Sequence, residues 1–147
     1  MFRLCARIEI KGDRSWSFDF ANAVEITRDM EKRGDTVTVS LGYDGNLQTA
    51  FAGYVRDVGF KTPIVITCED DMFKLKQMPA QKKAYRSVTL ETLLKDQGIN
   101  YRLNIMGEQA LGAYRVTADT VAALLGKLSE QGVRSFFRYE DGEPVLY

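Results

Sequence analysis

In run after run between Phe2 and Cys68 the apolar residues of this chain recur at every second position, which predicts strand after strand in that half of the sequence. A period of two is the repeat of an extended chain whose side chains point alternately to opposite faces. Phe2, Leu4, Ala6, Ile8 and Ile10 alternate with Arg3, Cys5, Arg7, Glu9 and Lys11. Trp16, Phe18 and Phe20 alternate with Ser15, Ser17 and Asp19, and Val24 and Ile26 with Glu25 and Thr27. Two further strands read out over 36–41 and 63–68. Lys11-Gly12-Asp13-Arg14 and the Gly/Asp/Asn run over 42–46 supply turns, and the charged stretch 28–35 reads as a surface loop. So many short strands predict a β-sandwich or a small antiparallel barrel. The barrel is favoured, because closure removes the edges at which strands pair with other molecules.

One segment breaks the alternation. In Gln48-to-Phe60, QTAFAGYVRDVGF, Phe51 and Val55 fall on one face while Ala52, Tyr54, Val58 and Phe60 fall on the other. Gly53 sits between them, where a glycine ordinarily weakens a strand. An apolar strand of this kind is expected to be covered on both sides. Gly53 is read as a bend or bulge that lets it curl around a barrel. Phe51, Gly53, Tyr54, Val55, Val58 and Phe60 are therefore the candidate barrel-bend or subunit-contact residues.

The period changes near Glu69. Residues 70–78 predict a short helix with acids at its N-terminus and lysines toward its C-terminus, stopped by Pro79. The polar run 81–86 reads as a connector. Ser87 or Thr89 then caps a helix carrying Leu90, Leu93 and Leu94 and ending at Gly98. Strands are predicted over 101–105 and 114–117. Val121, Leu124, Leu125 and Leu128 follow at helical spacing, with Gly132 as the stop. A strand over 133–139 turns through Asp141-Gly142 into Val145-Leu146-Tyr147. The expectation is an α+β protein: a β-barrel domain over 1–80, followed by a small α+β domain over 81–147. The sequence stops inside that last strand, which predicts a piece of a longer protein.

Composition narrows the chemistry. Hydrophobic residues make up 45% of the chain, enough for a buried core. Twenty basic and twenty acidic side chains cancel, which argues against bulk attraction to nucleic acid or anionic lipid. No secretion leader reads out of the charged N-terminus, and no apolar run approaches the ~20 residues of a membrane span. The expected location is the cytoplasm. The chain has no histidine, which excludes Ser-His-Asp and Cys-His catalysis and His-ligated metals. Cys5 and Cys68 are its two cysteines, too few for an all-thiolate zinc site, and both are read as free thiols. Cys5, between Arg3 and Arg7, is at most a mildly reactive one.

Glu69-Asp70-Asp71 is the densest carboxylate cluster. Consecutive carboxylates cannot all converge on one ion, so helix capping is the favoured role over a divalent metal. Lys74, Lys76, Lys82, Lys83 and Arg86, interleaved with Phe73 and Tyr85, could track a nucleic-acid backbone, but the neutral charge balance favours a solvated face. No phosphate-binding glycine motif is present. No enzyme, cofactor or metal is expected.

Three ordered segments resemble one family. Phe51-Ala-Gly-Tyr-Val55 with Pro63-Ile-Val-Ile-Thr-Cys-Glu-Asp70 is similar to the strand pair ending the first tube-forming barrel of phage baseplate-hub proteins. These are the late-control-D type, related to the valine-glycine-repeat spike proteins of type VI secretion. Thr89-Leu-Glu-Thr-Leu-Leu94 is similar to the helix opening the next domain. Thr120 to Leu128, Gly132, Phe136-Phe-Arg-Tyr139 and Leu146-Tyr147 resemble the family's helix and hairpin. The resemblance implies a non-enzymatic structural subunit, corresponding to the N-terminal part of a hub. Such subunits assemble as trimers into a pseudo-sixfold ring joining tail tube to spike. It implies a homo-oligomer with tail-tube and spike proteins as partners, in a phage or prophage tail particle.

Overall fold

The computed structural model describes residues 4–11, 15–19, 33–43, 46–59 and 65–147. The protein is α+β, with mostly antiparallel strands and three helices among the described residues. It divides into two compact units, Met1–Phe73 and Lys74–Tyr147.

The first unit is built on one antiparallel sheet of β1 (Leu4–Lys11), β2 (Ser15–Asp19), β3 (Thr36–Tyr43), β4 (Asn46–Gly59) and β5 (Val65–Glu69). Its order is β2-β1-β3-β4-β5. Among the described residues no strand joins β2 to β5, and the sheet is open there. The expected strand at Val24 and Ile26 lies outside the described residues, as do Phe20, the turn residues 12–14, residues 28–32 and 44–45, and Phe60 with 61–64.

β4 explains its own irregular pattern. Against β3, Phe51 pairs with Val39 and Thr49 with Ser40, leaving Ala50 as an extra residue. Against β5, Val55 pairs with Cys68 and Asp57 with Thr67, leaving Arg56 as another. One extra residue reverses which face the following side chains occupy. Val58 therefore joins Val55 in a single cluster with Val37, packed by Val39, Ile66 and Cys68. Val55 is fully buried and Val37 is 2% exposed. This corrects the expectation that Val58 lies opposite Val55: strict alternation counts through a bulge that the chain inserts at Arg56.

The second unit gathers two small sheets around two helices. β6 (Ala84–Thr89) pairs antiparallel with β8 (Ala110–Arg115). β10 (Glu143–Leu146) lies between β7 (Arg102–Leu103), to which it is parallel, and β9 (Phe137–Glu140), to which it is antiparallel. α1 (Met72–Gln77) crosses the division between the units. α2 (Leu90–Asp96) buries Leu90, Leu93 and Leu94, and α3 (Val121–Glu130) buries Val121, Leu124, Leu125 and Leu128. Thr89 and Thr120 cap these helices, their hydroxyl oxygens accepting from Thr92 N at 3.3 Å and Ala123 N at 3.2 Å. No helix among the described residues is long and apolar enough to cross a membrane.

Several expected boundaries are corrected. Residues 84–86, read as connector, belong to β6; in this two-stranded ribbon Val88 alone is buried, so the strand leaves almost no apolar period. The strand expected over 133–139 begins at Phe137, and that over 101–105 is confined to Arg102–Leu103. The strand expected over 114–117 is shifted back to Ala110–Arg115, and helix 70–78 shortens to Met72–Gln77.

Candidate functional site

The residues singled out on β4 occupy both faces of the sheet. Phe51, Gly53, Val55 and, through the Arg56 bulge, Val58 turn toward the Val37 cluster. Tyr54 turns the other way, and its ring stacks on Phe73 at a centroid distance of 5.5 Å and 17° between planes. The Arg33 guanidinium carbon lies 5.9 Å from the same Phe73 ring centroid. The second face of β4 is thus covered at Tyr54 by the first turn of α1, within one unit.

Gly53 answers to close approach. A Cβ there would sit 2.2 Å from the Glu69 carbonyl oxygen and 2.7 Å from Cζ of Phe51. The register shifts that bend the strand fall on either side of it, at Ala50 and Arg56.

A feature not picked out in the sequence lies along β3. Val37, Val39, Leu41 and Tyr43 share one face, and exposure rises along that stripe to 46% at Leu41 and 58% at Tyr43. The alternation over 36–41 was visible, but a stripe of strand residues looks the same whether its end is covered or bare.

Of the acidic cluster, Asp70 acts as a cap. Asp70 Oδ1 accepts from Met72 N at 2.9 Å and the Asp70 carbonyl from Phe73 N at 3.0 Å. Among the described residues no three His, Cys, Asp or Glu side chains converge as a metal site. Cys68 is a free thiol, and burial pushes its pKa up, away from thiolate chemistry. Cys5 belongs to β1 opposite Gly42 of β3, while Arg3 lies outside the described residues.

The basic residues do not form one open track. Lys82 Nζ donates to Asp119 at 2.8 Å and Lys83 Nζ to Asp96 at 2.7 Å. Tyr85 also donates to Asp96, at 2.8 Å, and the Lys83 ammonium lies 4.9 Å from the Tyr85 ring centroid. Phe73 is 8% exposed beneath Tyr54 and offers no open ring for a base to stack on. Lys74 and Lys76 fall in the last turn of α1.

The Tyr85–Asp96–Lys83 group gives a pH dependence with a definite sign. Burial, then the hydrogen bond to Asp96, pushes the Tyr85 phenol from 10 up to about 12. The neutral phenol is the form the folded state prefers. Its contribution is full below pH 10 and is lost as pH rises through 10 toward about 12. Denaturant midpoints of the wild type should therefore fall more steeply across this window than those of Tyr85→Phe. Parallel pH profiles for the two proteins would refute the assignment. Asp96, held below the usual carboxylate range by its hydrogen bonds to Lys83 and then Tyr85, acts at the acid end. Its contribution is present above the unfolded carboxylate pKa and is lost as pH falls through the lowered one.

No family model matches this chain, and no curated protein matches it.

Proposed function

We propose that the chain is a non-enzymatic structural subunit of a phage-tail-like baseplate hub. In this reading the five-stranded sheet of the first unit becomes part of a closed barrel wall at the junction of tail tube and spike. The observation that carries it is the apolar stripe of β3, which runs from buried Val37 out to Leu41 and Tyr43 at 46% and 58% exposure. Apolar sheet surface exposed to this degree suits a neighbouring subunit better than water. The two bulges of β4 favour the same reading, since bulges increase local twist and cluster at the rims of barrels. The ordered resemblance of 51–70, 89–94 and 120–147 to hub proteins supplies the trimer, with tail-tube and spike proteins as partners, and a tail particle assembled from the cytoplasm as its location.

The test is mass and partnership. Light scattering on the full chain should show concentration-dependent trimers, and co-expression with tail-tube and spike proteins should recover a complex. A strict monomer at all concentrations that also fails to copurify with either protein would end this reading.

A further inference from the structure

An apolar cavity of about 320 Å³ opens in the second unit. Leu90 and Leu94 of α2, Leu125 of α3 and Leu146 of β10 form its floor, all buried. Leu103 and Phe136 stand among its remaining walls. A volume of this size is at the lower end of those that hold small molecules. At the wall, the segment between α3 and β9 contributes Arg134 and Ser135. Among the described residues neither forms a hydrogen bond or ion pair, although Arg102, Arg138, Lys82, Lys83 and Lys95 all have acidic partners. An arginine with no acidic partner in the lining of an apolar cavity suits an anionic head on a hydrocarbon body.

We propose that this cavity is a binding site for small amphipathic carboxylates, with the alkyl body against Leu94 and Leu125 and the carboxylate at Arg134. The floor supplies apolar burial for a chain that would otherwise disturb water. Arg134 supplies the preference between head groups, because a cation rewards a carboxylate, leaves an alcohol nearly indifferent and repels an ammonium. This site does not rest on the assembly reading: the cavity belongs to the second unit, whereas that reading rests on β3 and β4 of the first.

The experiment uses the full chain with methyl-labelled leucine and methionine, titrated with octanoate, 1-octanol and octylamine and followed by nuclear magnetic resonance. Octanoate should shift the methyls of Leu90, Leu94, Leu103 and Leu125 in a saturable manner. 1-Octanol should shift the same methyls with weaker binding, and octylamine should bind least. Arg134→Ala, an exposed position that leaves the core intact, should weaken octanoate by about fivefold, the size of one exposed charge contact, and leave 1-octanol unchanged. Shifts absent from these leucines, or equal binding of the three probes, would overturn the proposal. So would an Arg134→Ala protein that binds octanoate as tightly as the wild type.

Discussion

Gly53→Val should lower the stability of the first unit by about 3 kcal/mol, the upper range for forcing extra atoms into a packed site. Two effects oppose each other. Replacing a strand glycine by a β-branched residue ordinarily helps, by roughly 0.5–1 kcal/mol, because the unfolded chain loses freedom. Here the added Cβ meets the Glu69 carbonyl oxygen at 2.2 Å. That obstacle is backbone, held by the β4–β5 ladder at Tyr54 and Glu69, so no rotamer change relieves it. The clash wins. Because the first added carbon already makes it, Gly53→Ala should lose most of the same stability. Trp16, the only tryptophan of the chain, belongs to β2 of this sheet, so its fluorescence follows unfolding of this unit. An unchanged midpoint for both variants would show that β5 does not approach β4 as closely as described.

The second large effect is expected at Gln97, a polar side chain 1% exposed at the end of α2. Its Oε1 accepts from Gln81 N at 2.6 Å and its Nε2 donates to the Gln81 carbonyl at 3.2 Å. One amide thus satisfies both backbone groups of a residue sixteen positions away, as a neighbouring strand would. Nearby, Ala80 N donates to Asp119 O and Val121 N to Met78 O, so the segment over 78–81 is held from two sides. Gln97→Leu keeps the volume and removes the pairing. The cost should be about 2 kcal/mol, since each unsatisfied backbone group costs about 1–3 kcal/mol where water cannot replace the partner and Gln81 is itself partly solvated. Amide hydrogen exchange gives the local readout: the Gln81 amide should lose its protection in Gln97→Leu. Retained protection there, with an unchanged midpoint, would refute the clamp.

Much of the fold was written in local patterns. The alternation of Val37 and Val39, and the spacing of Val121, Leu124, Leu125 and Leu128, specify a strand and a helix because one face of each meets a core. Thr89 was legible, beside Ser87, as a helix start, since capping is a local hydrogen bond, whereas the cap at Thr120 was not picked out. What stayed hidden depends on partners distant in the chain. β6 is held by β8 and carries little buried surface of its own, so Ala84-Tyr85-Arg86 read as a connector. The bulge at Arg56 is a relation between β4 and β5 and has no signature within β4 alone. Gly53 could be noticed but not explained, because its reason is the carbonyl of Glu69 on another strand. Of the candidate site, the β4 residues were visible as an anomaly. Leu41 and Tyr43 were not, because exposure is a property of what fails to cover them. The cavity walled by Leu94, Leu125 and Arg134 joins segments that are far apart in the chain.

The two extra residues of β4 also bear on how such a strand could change over time. Ala50 and Arg56 act as two parity switches in one fourteen-residue strand, each undoing the other's reversal. Replacing a side chain elsewhere in the strand alters one position, but removing either switch would turn every position beyond it inside out. For β4 the number of letters is therefore guarded more strictly than most of the letters themselves, and drift by substitution is open to it where drift by single-residue deletion is closed.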